Sequence, residues 1–200
     1  FTQGTADSNE VWVEVTATSG GRTLGRSGAV NAESVVDPWA HFLNVYMVDR
    51  EGRRIDRRNV QDIFVPLYDH QIPPGAADVI HYRLQLPDDV REAVTVEVKV
   101  WYRKFTTAFT RQFLGETFRQ NDLPVTVLAT DRVMLPVAGE PVAGQPPPLA
   151  PPVSVSVPVW ERWNDYGIGL LRKASSGATS GSNRGELRQA AAAFAEVDRL

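Results

Sequence analysis

The run Val94-Thr95-Val96-Glu97-Val98-Lys99-Val100-Trp101-Tyr102-Arg103 decides how this chain folds. Val94, Val96, Val98, Val100 and Tyr102 share one side of an extended segment. Thr95, Glu97, Lys99, Trp101 and Arg103 share the other. Alternation with period two marks a strand with one buried and one mostly wet face. A helix would scatter the valines around its circumference, and β-branched residues are weak helix formers. A buried strand face needs an opposing layer. The segment is therefore expected to lie centrally in an antiparallel β-sandwich. Trp101 points away from the valines, so a covering element is expected over it, with a C-terminal helical pair as the candidate.

Moving outward, Val11, Val13 and Val15 alternate with Trp12, Glu14 and Thr16, which predicts a strand over 10–18. Ser19-Gly20-Gly21 supplies the turn into a short polar strand over 22–27. Residues 40–48 are apolar on both faces and predict a further strand, followed by the turn Asp49-Arg50-Glu51-Gly52 and a brief return over 53–56. Pro66 makes a central strand unsuitable around Ile63–Tyr68, so a packed connection with a short edge piece is expected there. Residues 77–86 alternate again and predict a strand. Residues 107–120 predict a helix with Phe109, Phe113, Leu114 and Phe118 in one stripe, weakened by Gly115. A last strand is expected over 125–137. Roughly seven strands with regular turns suggest a mainly β, immunoglobulin-like antiparallel sandwich.

Beyond it the composition changes. The expected organisation is a β-sandwich over 1–137, a Pro-rich linker or strap over 138–159, and a helical hairpin over 160–200. The alternation Val153–Val159 is placed to rejoin the sheet edge. Phe1 in place of methionine, and a C-terminus inside a helical pattern, suggest a piece of a longer or processed polypeptide.

A formal net charge of −3 argues against general nucleic-acid binding, and no apolar run is long enough to span a bilayer. The absence of cysteine excludes disulfides, thiolate metal sites, cysteine nucleophiles and thioether haem attachment within these residues. No phosphate loop, dinucleotide fingerprint or nucleophile elbow is present. His41, His70 and His81 are the only histidines. Imidazole suits haem iron, but hydrogen-bonded structural histidines are the favoured reading. Arg50, Arg53, Arg54, Arg57 and Arg58 make a basic patch, interleaved with Asp49, Glu51 and Asp56. The candidate partner-binding residues are Trp39, Arg53, Arg54, Arg57, Trp101, Trp160, Trp163 and Phe194. No catalytic, cofactor or metal residue is assigned, and no cofactor is expected within the chain.

Two resemblances add to this. Trp163, Gly167, Leu170, Gly185, Ala190, Phe194 and Val197 resemble a tetratricopeptide (TPR) repeat, with an insertion over 174–184 where that family has almost no loop. One repeat cannot bury its own face, so it needs a neighbour. The runs Val36–Phe42, Asp56–Tyr68 and His70–Gly75, with the Val94 strand and the TPR-like tail, resemble the haem-free C-terminal part of bacterial multihaem c-type cytochromes. That likeness implies a periplasmic location and electron-transfer partners, with any haem-attachment sequences lying upstream. The expected function is a non-catalytic scaffold or interaction subunit that docks to a c-type cytochrome or a membrane redox or reaction-centre complex. The alternative is a carbohydrate-binding or enzyme-accessory β-sandwich.

Overall fold

The computed structural model describes residues 8–137, 157–176 and 184–200. Most of the expected strap, and most of the Ser/Gly insertion, lie outside them. The elements in chain order are β1 (Glu10–Ser19), β2 (Arg22–Ser27), β3 (His41–Phe42), β4 (Val45–Val48), β5 (Val65–Asp69), β6 (Val94–Arg103), α1 (Thr107–Leu114), β7 (Thr126–Leu135), α2 (Val159–Ser176) and α3 (Arg184–Arg199). They fall into two compact units. Of the described residues, one holds 8–68 and 83–137; the other holds 69–82, 157–176 and 184–200.

In the first unit β6 is central, as its alternation requires. It pairs antiparallel with β1 on one side and β7 on the other, in the order β2-β1-β6-β7, with β3 also alongside β1. The register sets Val13 opposite Val100, Val15 opposite Val98 and Ala17 opposite Val96, so the valine face is continuous across strands. At one end of that face, Ala17, Val90 and Val94 are buried with Leu24, Leu86, Val96 and Val137 packed around them. The covering residues Leu86 and Val90 come from irregular chain. A second sheet does not supply them; β4 and β5 form a separate two-stranded ribbon. Mixed antiparallel sheets and helices are thus what the chain builds.

The opposite face is less wet than its polar residues suggest. Trp12 and Trp101 are direct cross-strand partners, with ring centroids 6.4 Å apart. Val36, Ala40 and Phe42 pack with them, so the cover over Trp101 comes from its own unit. Trp12 Nε1 also donates to the Gly28 carbonyl at 3.0 Å. Gly28 has φ +81°, and a Cβ there would meet Val13 O at 2.3 Å, so the chain leaving β2 passes too close to β1 for any side chain.

Other expectations need correction. Residues 40–48 split into β3, on the main sheet, and β4, in the ribbon, with Leu43 and Asn44 buried between them. The short edge piece expected around Ile63–Tyr68 is β5; Pro66 lies inside it, tolerated because in a two-stranded ribbon every strand is an edge. The helix expected over 107–120 stops at Leu114, because Gly115 adopts φ +53° and turns the chain. Its buried residues are Thr107 and Thr110; Phe113, from the expected stripe, is 80% exposed. Residues 77–86 form no strand.

The second unit explains part of that last failure. Arg172 on α2 donates to the carbonyls of Ala77 and Gln71 at 2.9 and 2.8 Å, and Lys173 donates to Val79 O at 3.2 Å. Those carbonyls answer to a helix, not to a neighbouring strand. Two glycines let α2 accept neighbours closely. A Cβ on Gly167 would lie 2.7 Å from the Phe194 ring of α3, and one on Gly169 would lie 2.7 Å from the Val79 side chain. Two residues apart is about 200° around a helix, so the contacts fall on nearly opposite sides of α2. Leu170, Ala174, Ala190 and Ala193 complete the buried set.

Candidate functional site

The site is assembled where β1 begins and β6 ends. Glu10 and Arg103 are direct cross-strand partners. Sequence alternation puts Arg103 on the wet face, yet it is 1% exposed. Its Nε and Nη2 both donate to Glu10 Oε2, the former at 2.9 Å. Its Nη1 donates to the Ser34 carbonyl at 2.8 Å. Thr107, at the start of α1, donates its hydroxyl to the same carbonyl at 2.6 Å, and Asn121 donates to the Thr107 hydroxyl at 3.3 Å. Ser34 adopts φ +61°, which is rare for a residue with a side chain. Asn31 holds that turn through its side-chain oxygen, which accepts from the Glu33 and Val35 N–H groups. The guanidinium also stands 6.0 Å from the Trp12 ring. A buried charge is tolerated only when paired and bonded in this way.

A cleft of about 280 Å³ opens beside this network, lined among others by Glu10, Phe42, Tyr46, Arg54, Tyr68 and Ala108. Tyr46 on β4 and Tyr68 on β5 have ring centroids 5.2 Å apart, and the Arg54 guanidinium lies 4.7 Å from the Tyr46 ring centre. Burial pushes the Glu10 carboxyl above the usual glutamate range, against the pull of Arg103 and then Arg54. Burial likewise raises the Tyr68 phenol, with Arg54 opposing and Tyr46 adding to the rise. The cleft therefore joins aromatic walls, an acid and two guanidiniums, those of Arg54 and the exposed Arg111, in one small space.

The residues singled out from sequence are scattered. In the first unit Arg54 lines the cleft, whereas Arg53 is bound to Asp49 at 2.8 Å and Arg57 to Asp56 at 3.2 Å. Trp39 is 90% exposed, in the bend after Pro38. Trp101 stacks on Trp12 and donates to Glu14 Oε2 at 2.7 Å, which makes it part of the sheet's packing. In the second unit Trp160 and Trp163 stand on α2, 51% and 37% exposed, and Phe194 packs against Gly167. Glu10, Tyr46 and Tyr68 were not legible as site residues, since nothing local distinguishes them before the strands are paired. His41 sits on β3 opposite Val13, while His70 and His81 belong to the other unit. Among the described residues no group of histidines and carboxylates is placed to hold a metal, and no helix is long and apolar enough to cross a membrane.

The chain matches no known protein family, no curated protein and no solved structure.

Proposed function

We propose that the chain is a non-catalytic interaction module that positions a periplasmic electron-transfer assembly by docking onto a c-type cytochrome or a membrane redox complex. The observation that carries the docking part is a row of exposed apolar side chains, Val159, Trp160, Trp163 and Tyr166, at three- to four-residue spacing along one stretch of α2. Trp163 and Tyr166 brace each other edge to face, 6.2 Å between centroids, which limits what ordering them on binding would cost. Tryptophan and tyrosine in such rows are where binding energy concentrates. The class of partner rests on the resemblance to multihaem cytochrome tails.

On the same reading, the five-stranded sheet and its ribbon are a reduced form of an immunoglobulin-like sandwich. The α2–α3 pair is a TPR-like hairpin, supported by the close Gly167–Phe194 contact and the buried Ala190. The chain immobilised on a support is expected to retain a haem protein from periplasmic extract or solubilised membranes, read by its Soret band. Retention is expected to fall away when Trp160 and Trp163 are both replaced by alanine. Retention of proteins without haem, or equal retention by the double variant, would contradict the proposal.

A further inference from the structure

The cleft beside Glu10 has a chemistry of its own, apart from the row on α2. We infer that it binds a hydroxyl-rich small molecule, a single sugar unit, through Glu10 and Arg54 between aromatic rings. Both Arg103 bonds go to Glu10 Oε2, and no described residue donates to Oε1. That leaves one carboxylate oxygen as an open acceptor. Arg54 is the complementary case. In the same unit Arg22, Arg26, Arg53, Arg57 and Arg103 each hold a carboxylate. The Arg54 guanidinium instead lies half-buried over Tyr46, and no described residue accepts a hydrogen bond from it.

Glu10 beside Arg54, an acceptor next to a forked donor, is a poor match for a simple ion; the other guanidinium on the lining, Arg111, is exposed and stands 5.1 Å from the Phe118 ring. A carboxylate or phosphate that satisfied Arg54 would lie beside the Glu10 carboxylate, and a cation that satisfied Glu10 would meet Arg54. A vicinal diol satisfies both, with one hydroxyl donating to Glu10 and its neighbour accepting from Arg54. The C–H face of a sugar ring suits the walls made by Phe42 and Tyr68. A volume of about 280 Å³ admits one small molecule and no more.

The test is saturation-transfer NMR on the intact chain, with the methyl glycosides of glucose, galactose, mannose and N-acetylglucosamine as probes and benzoate and inorganic phosphate as comparisons. At least one neutral glycoside is expected to bind. Arg54→Met and Ala108→Arg are each expected to weaken that binding by about tenfold or more. Ala108 is exposed at the rim of the cleft, so its arginine variant fills the mouth without disturbing the core, and an unchanged melting curve would verify that. Binding of benzoate or phosphate alone, binding of no glycoside, or glycoside binding that Ala108→Arg leaves intact would each overturn the inference.

Discussion

Arg103 is the residue on which the sheet end depends. Its charge is buried, and its partners come from β1, the Ser34 turn and α1. Removing either member of a buried pair strands the other charge, a loss of about 3–5 kcal/mol. Arg103→Met is thus expected to lower the unfolding free energy extrapolated from urea denaturation by that order, while adding Glu10→Leu recovers most of the loss. A double variant as unstable as the single one would mean that Glu10 is not the partner that matters. Acid titration separates two kinds of carboxylate. Asp89 is held below the usual aspartate range, chiefly by the hydrogen bonds from Arg22 at 2.8 and 2.9 Å. Its contribution is present above the unfolded value and is lost as pH falls through the folded one. Glu10 runs the other way. Its folded value is raised, so relative stability is gained as pH falls through that value towards the unfolded one. Asp89→Asn is accordingly expected to lower stability at neutral pH and to leave it unchanged well below the aspartate range. A difference from wild type that persisted in strong acid would contradict the assignment.

Among the elements, the alternating strands were the most legible. β1, β2, β6 and β7 fall close to the bounds their sequences suggest; the alternation that marks β1 and β6 is written into neighbouring residues, whereas β7 is exposed along nearly its whole length. Residues 77–86 alternate as well, but a strand also needs an edge to pair with. Their carbonyls at Ala77 and Val79 are taken by Arg172 and Lys173, nearly a hundred residues away, which no local pattern announces. The short helix α1 misled in another way. Its phenylalanines suggested an apolar seam, but Thr107 and Thr110 carry the buried contacts. Helix α2 is the element most sensitive to small changes. Gly169→Ala would put a methyl 2.7 Å from the Val79 side chain and 3.2 Å from Asp78 backbone. Gly167→Ala meets only the Phe194 ring, at 2.7 Å. Alanine improves an isolated helix by about 1 kcal/mol over glycine. Gly169→Ala is nevertheless expected to lose amide-exchange protection across 69–82, because the backbone there cannot yield cheaply. Gly167→Ala is expected to be tolerated better, since a ring can turn. The reverse ranking would show that α2 does not pack as described.

At the scale of the whole molecule, the packing faces of the main sheet and the proposed docking row belong to different units. The valine face and the Trp12–Trp101 face of the main sheet are used for packing within one unit, and the exposed row on α2 belongs to the other. The row was legible, since Trp160 and Trp163 stand out in any reading of the chain. The Glu10–Arg54 cleft was not, because Glu10 acquires its environment from a partner 93 residues away. The proposed docking depends most directly on the tryptophans of α2, and a binding titration with the retained haem protein tests it. Wild-type chain and the Trp160→Ala/Trp163→Ala variant would be titrated side by side. The expected result is saturable binding by the wild type, weakened at least about thirtyfold in the variant, the loss of one hot-spot residue or roughly 2 kcal/mol. Superimposable isotherms would place any docking surface elsewhere and contradict the proposed role of α2.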